Sequence, residues 1–168
     1  MRRVLLALLT LIATAAAAED PGRALGGWLV PWQYEAGVRS AARAGGAVGD
    51  VFLFIGRIDD GGHPVLEGRK DGWTGTVARA HETGARAWLT MVNDRVSPAG
   101  TAVLKDADVV ERMLADPTRR SEHRAEIVAL AKDLGVDGVD VDYENLPAPL
   151  RLLFTRFAVV ACMVYVHL

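Results

Sequence analysis

Short apolar runs of strand character alternate along the chain with amphipathic stretches of helical period, and several of the helical stretches stop at glycine. The runs at 25–32, 51–58 and 85–92 are apolar and partly β-branched or aromatic, which predicts buried strands. Residues 136–143 alternate apolar and acidic positions, which predicts a fourth strand. Between them, the Ala-rich segment 35–44 predicts a short helix ended by Gly45 and Gly46. Segment 74–83, with Val77, Ala78 and Ala80 on one side, predicts a second, with Thr74 as N-cap and Gly84 as its stop. Val109, Val110, Met113 and Leu114 mark a third helical face. Asp116 and Pro117 open a longer helix whose face is Ile127, Leu130, Ala131 and Leu134, spaced i, i+3, i+4, i+7 and ended by Gly135. The turn at 59–62 is followed by 63–67, which can return as a small hairpin arm. Strands separated by helices imply right-handed crossovers and a parallel sheet, so the expected class is α/β.

Composition narrows this picture. The chain has 168 residues, 51% of them hydrophobic and 24% charged, with 17 Gly, 7 Pro and one Cys. These values suit one globular domain and exclude a disordered, collagen-like or disulfide-stapled protein. The net charge of -2 argues against a nucleic-acid partner, which would need a basic surface. A complete (β/α)8 barrel takes about 250 residues, so a chain of this length can hold only part of one.

The N-terminus has the pattern of a targeting segment. Arg2 and Arg3 precede an apolar run at 4–18 that ends in small alanines before Glu19, Asp20 and Pro21. This predicts a secretory signal peptide over 1–18, with 19–168 as one exported domain that has no membrane attachment after cleavage. The apolar run is shorter than the roughly 20 residues that span a bilayer.

The most informative stretch is Asp137-Gly138-Val139-Asp140-Val141-Asp142-Tyr143-Glu144. In a strand, Asp140, Asp142 and Glu144 share one face, with neighbours about 7 Å apart, while Val139, Val141 and Tyr143 share the other. A solvated face of an antiparallel sheet would accommodate such a row. In a parallel sheet covered on both faces the acids would be buried and mutually repelling, an arrangement kept for a site. The C-terminal ends of barrel strands carry catalytic groups. A calcium loop is the other functional reading of the spacing, but the intervening Val141 and Tyr143 and the lack of a following Gly are unlike one. No metal and no cofactor is expected.

These residues resemble the DGxDxDxE motif of glycoside hydrolase family 18, the chitinase-like enzymes, in which it lies on the fourth barrel strand. LGGWLVPW, VFLFIGRIDDGGHPVL, AHETGARAWLTMVND and MLADPTRRSEHRAEIVALAKDLGVDGVDVDYENL resemble the first four β/α units of its branch of spore-cortex and peptidoglycan N-acetylglucosaminidases. The resemblance implies a parallel (β/α)8 TIM-barrel type of fold, with the first four to five β/α units present. It also implies hydrolysis of β-1,4-linked N-acetylglucosamine polymers, peptidoglycan or chitin, by a monomeric secreted or cell-envelope enzyme. Glu144 would be the general acid. Asp142 would hold the substrate's 2-acetamido group so that its carbonyl oxygen attacks the anomeric carbon, and Asp140 would share a proton or hydrogen bond with Asp142. This substrate-assisted route departs from the usual two-carboxylate scheme. The like charges of Asp140 and Asp142 would help keep Glu144 protonated. Asp137 and Gly138 would be structural members of the motif.

Asn93, at the end of the third strand, and Trp32, beside Pro31 after the first, are the candidate substrate-binding residues. Trp28, Trp73 and Trp88 are read as packing, as is Tyr143. His63, His81, His123, His167 and Cys162 lack ligand or triad spacing. The third strand carries Leu89-Thr90-Met91-Val92-Asn93 in place of the Ser-x-Gly-Gly pattern common in chitinases, which favours the cortex-lytic-like branch. Segment 150–157 predicts another helix. The wholly uncharged segment 158–168 predicts a truncated or frame-shifted tail, and the Tyr and Trp of the family's sixth and eighth strands have no counterparts. An inactive, carbohydrate-binding relic of the same family is the alternative function.

Overall fold

The structure, a computed structural model, describes residues 25–97 and 99–165, with side chains placed through 158. The expected signal peptide and His167 lie outside the described residues. Strand β1 (Leu25–Leu29) leads through a single turn at Pro31–Gln33 into helix α1 (Tyr34–Ala44). Then follow β2 (Val48–Asp59), the short arm β3 (Pro64–Leu66), α2 (Lys70–Glu82), β4 (Arg86–Val96) and a second short arm, β5 (Ala102–Val103). Helices α3 (Ala107–Ala115) and α4 (Pro117–Leu134) lead to β6 (Gly138–Asp142) and then to α5 (Arg151–Tyr165).

Strands β1, β2, β4 and β6 lie side by side in chain order, each parallel to the next. This is the α/β arrangement expected from alternating strands and helices, and it makes half of a barrel wall. The arms β3 and β5 pair antiparallel with the last residues of β2 and β4, so both stand at the C-terminal edge of the sheet.

Helices cover one face. Leu53, Ile55, Ile58, Ala87, Leu89 and Met91 point from the strands into a core completed by Val110, Leu114, Ile127, Ala131 and Phe157, all essentially without solvent contact. On the other face Trp28 lies 5.4 Å from Phe52, and Phe52 stacks on Trp88 at 5.9 Å. No described helix covers this second face, and Trp28 is 59% exposed. The sequence reading expected the acids of β6 to be buried under cover on both sides. They lie instead on the open face, where Asp140 and Asp142 are half-buried and Glu144 is exposed.

Local chemistry explains both ends of α4. Asp116 accepts from the backbone N–H groups of Thr118 (2.8 Å) and Arg119 (3.3 Å), with Pro117 in the first turn of α4. Gly135 closes that helix in the left-handed region at φ 74°, where its N–H reaches the carbonyls of Ala131 and Lys132. Helix α2 begins four residues before the expected cap, at Lys70. Thr74 is interior to it and donates its hydroxyl to the Asp71 carbonyl (3.0 Å). The cause is tertiary: Trp73 is buried in the core and its Nε1 donates to the Glu67 carbonyl (2.7 Å), which ties the first turn of α2 to the end of β3. Strand β4 runs four residues past its expected end, because Arg95 and Val96 pair with β5. The backbone of α5 continues helical through Tyr165, beyond the expected helix 150–157 and into the stretch read as an aberrant tail.

Candidate active site

The site is built where β4 and β6 end. Thr90 pairs with Asp140 and Val92 with Asp142 in the parallel ladder. The Thr90 hydroxyl, itself fully buried, donates to Asp140 Oδ2 (3.0 Å) and fixes the lowest acid of the row. Asp142 stands above it, one turn of the pleat nearer solvent. Burial holds its carboxyl above the usual carboxylate range, and the negative charges of Glu144 and Asp140 push the same way, while Lys105 pulls against them. Asp140 and Asp142 are thus coupled through space, Asp140 taking its hydrogen bond from Thr90.

Glu144 lies just beyond the strand rather than on it, since the ladder stops at Asp142. Its backbone is held by Asn93: the Asn93 side-chain Nδ2 donates to the Glu144 carbonyl (3.0 Å), and the Glu144 N–H donates to Asn93 Oδ1 (2.9 Å). Asn93 is 1% exposed. The next residue, Asn145, turns the chain at φ 58°. The Glu144 carboxylate, half-exposed, forms an ion pair with Lys105 Nζ. Lys105 is set in place by its own left-handed backbone (φ 53°) and by its N–H, which donates to Asp94 Oδ1 (2.9 Å). Hydrogen bonding to Glu144, then the charges of Glu144, Asp142 and Asp94, hold the ammonium above its ordinary range.

The two other members of the motif sit at the opposite end of the strand. Asp137 Oδ2 accepts from the Ala87 N–H (2.7 Å) and from His81 Nε2 (2.8 Å), and its own N–H donates to the Ala87 carbonyl (2.8 Å). Gly138 lies under the Trp88 ring so closely that a Cβ there would be 2.2 Å from Cζ3. On the helix side of β6, Tyr143 is buried between His123, Phe154 and Phe157 and shares a 2.6 Å hydrogen bond with His123 Nε2. Burial keeps this phenol protonated far above its ordinary range and lowers His123 to about 4, so both are neutral packing groups.

A cleft of about 630 Å³ opens between the arms β3 and β5; none of the three acids lines it, and it adjoins them through Asp94, which holds Lys105 beside Glu144. Trp32, 65% exposed, forms one wall and meets Phe54 edge-on at 6.0 Å. Leu66 and Leu104 contribute apolar surface, and Arg57, Glu67 and Asp94 contribute polar groups. Arg57 is buried, donates to Glu67 Oε2 (2.7 Å), and lies over the Phe54 ring at 5.2 Å. The cleft thus combines an exposed aromatic ring, apolar walls and a few polar groups, the usual make-up of a small-molecule site. Among the described residues no group of His, Cys, Asp or Glu could hold a metal ion, and no helix is long and apolar enough to cross a membrane.

The structure therefore gathers Asp140, Asp142, Glu144 and Asn93 at one edge and puts Trp32 on the adjoining cleft. Thr90, Asp94, Lys105, Arg57 and Glu67 were not singled out from the sequence. Thr90 is placed beside Asp140 by the strand register, which no local pattern gives. Lys105 likewise had no local signal, since it reaches Glu144 from a loop 39 residues away in sequence.

No protein-family model and no curated protein matches the chain. Solved structures do. The spore cortex-lytic enzyme SleL of Bacillus cereus superposes with a TM-score of 0.68 at 16% identity, over 83% of this chain and 32% of that one. A chitinase from Chromobacterium violaceum gives 0.65 at 18% identity, over 81% and 40%. A chitinase from Bacteroides thetaiotaomicron gives 0.62 at 18%, over 81% and 42%. The chain therefore shares the fold of part of SleL and of these chitinases. The chain spans between about a third and two-fifths of the length of these structures.

Proposed function

We propose that the chain is the acid-bearing part of a family 18 glycoside hydrolase. It would be exported through residues 1–18 and act on β-1,4-linked N-acetylglucosamine polymers of the peptidoglycan or chitin class. The single observation that carries this reading is the row Asp140, Asp142, Glu144 at the C-terminal edge of a parallel sheet, next to a cleft walled by Trp32.

Asp140 and Asp142 rise from one strand and Glu144 stands just past its end, an arrangement that supports a nucleophile supplied by the substrate rather than by a second carboxylate across the sugar. Asp142 orients the 2-acetamido group. Its carbonyl oxygen forms a bond to the anomeric carbon as the glycosidic C–O bond breaks, and the electron pair of that bond leaves on the departing oxygen. Glu144 gives that oxygen its proton. Positive charge then resides on the cyclised acetamido group, where the carboxyl of Asp142 shares or accepts its proton. Water opens the ring from the opposite side with Glu144 as base, so the configuration at the anomeric carbon is retained. The ion pair with Lys105 is that of an ionised Glu144, so this role requires the carboxyl to leave the ammonium when it acts as acid.

The test is turnover of a fluorogenic N-acetylglucosamine oligomer by the chain and by Glu144→Gln. Loss of general-acid catalysis predicts a fall of about 10²–10⁴ in kcat for the variant. Equal, negligible signals from both, with oligomer binding retained, would reject hydrolysis and assign the chain as a carbohydrate-binding relative.

A further inference from the structure

We infer that Asn93 is the positioning residue of the Glu144 carboxyl, acting through the backbone of Glu144 rather than through contact with sugar. This rests on the reading of Glu144 as the acid. The β4–β6 ladder ends at the pair Val92 and Asp142, and Asn145 turns the chain away at φ 58°. Glu144 thus stands between the last rung and a turn, with no strand partner. The Asn93 amide takes the place of that missing rung, accepting from its N–H at 2.9 Å and donating to its carbonyl at 3.0 Å. With 1% of its surface exposed, Asn93 has no face to offer a substrate.

The same residue also holds the other side of the ion pair. The Asn93 backbone carbonyl accepts from the Asp106 N–H (2.9 Å), and the neighbouring Asp94 carboxylate accepts from the Lys105 N–H (2.9 Å). Glu144 and the cation that meets it are therefore hung from adjacent residues of β4. Proton transfer depends on a heavy-atom separation near 3 Å, and a misplacement of about 1 Å costs on the order of 10²-fold in rate. The amide suits this place because it supplies a donor and an acceptor side by side in one plane without titrating.

The experiment compares Asn93→Ala and the isosteric Asn93→Asp with the unsubstituted chain, by amide hydrogen exchange at Glu144 and by steady-state kinetics on the fluorogenic oligomer over a range of pH. For Asn93→Ala, the Glu144 amide loses protection while ladder amides such as that of Val141 keep theirs. Its kcat falls about 10- to 100-fold with KM within about two-fold. For Asn93→Asp, an ionised carboxylate opposes the Glu144 carbonyl, whereas the protonated acid again both donates and accepts. The deficit relative to the unsubstituted chain therefore shrinks as pH falls. This variant also carries the test if Asn93→Ala fails to fold. A raised KM with kcat intact, an unchanged Glu144 amide, or an Asp deficit independent of pH would overturn the inference. If the unsubstituted chain and Glu144→Gln are equally inactive, the hydrolase reading fails by itself, and the exchange measurement still decides the role of Asn93.

Discussion

Replacing Gly138 with alanine puts a methyl group where the Trp88 ring already lies. The new carbon would stand 2.2 Å from Cζ3 and 2.4 Å from Cε3. Ordinary carbon contacts fall at about 3.5–4.0 Å, so ring and strand must separate by more than about 1 Å. The ring has little freedom to yield. Its Nε1 donates to Asp50 Oδ1 (2.7 Å), it stacks on Phe52, and the Arg86 guanidinium lies 5.4 Å from its centroid. Asp50 is itself fixed by two hydrogen bonds from Arg86, which hold its carboxyl below the usual range. Overpacking of this kind costs about 1–3 kcal/mol, and removing a glycine from a strand returns about 0.5–1 kcal/mol. The expected net loss is about 1–2 kcal/mol, or roughly 2–8 °C in Tm for a chain of this size. Urea denaturation of Gly138→Ala, of Trp88→Leu and of the double variant measures the contact directly. With the ring gone, the alanine becomes neutral or stabilising, giving a coupling of at least about 1 kcal/mol. An equal loss in both backgrounds would refute the steric account. Because Asp140 and Asp142 lie on the same face of the same strand, the displacement also carries into the site, and oligomer turnover falls in Gly138→Ala but recovers partly in the double variant.

His123 predicts an acid-labile region. Burial lowers its value to about 4 in the folded chain against about 6.5 when unfolded, so the unfolded state takes up a proton first. Stability from this group is complete above pH 6.5 and declines by roughly 3 kcal/mol as pH falls to 4. Denaturation curves across this window are shallower in pH for His123→Gln, and identical slopes would refute the assignment. Asn145 occupies the left-handed region, so Asn145→Val loses about 1–2 kcal/mol while Asn145→Gly is close to neutral, read as shifts in the urea midpoint. The experiments on Glu144 and Asn93 complete the set.

How much was legible beforehand follows the range of the physics. The four strands, the N-cap at Asp116, the left-handed stop at Gly135 and the shared face of Asp140 and Asp142 depend on residues a few positions apart. Periodicity and capping chemistry reveal such features. Where tertiary contacts overrode the local signal, the reading slipped: Trp73 in the core draws the start of α2 back from Thr74 to Lys70, and pairing with β5 extends β4 to Val96.

The sequence by itself determined that this is an α/β chain with Asp140 and Asp142 on one face of its fourth strand, because side-chain alternation is a property of the strand alone. Only the tertiary structure decided what surrounds those acids. It brought Thr90 to Asp140 and Lys105 to Glu144, laid Trp88 over Gly138, and joined the Asn93 amide to the backbone of Glu144. Each of these pairs joins residues about 40 to 50 positions apart, and their partnership is set by strand register and loop path. No local pattern encodes them, because the free energy that selects them is that of the assembled sheet.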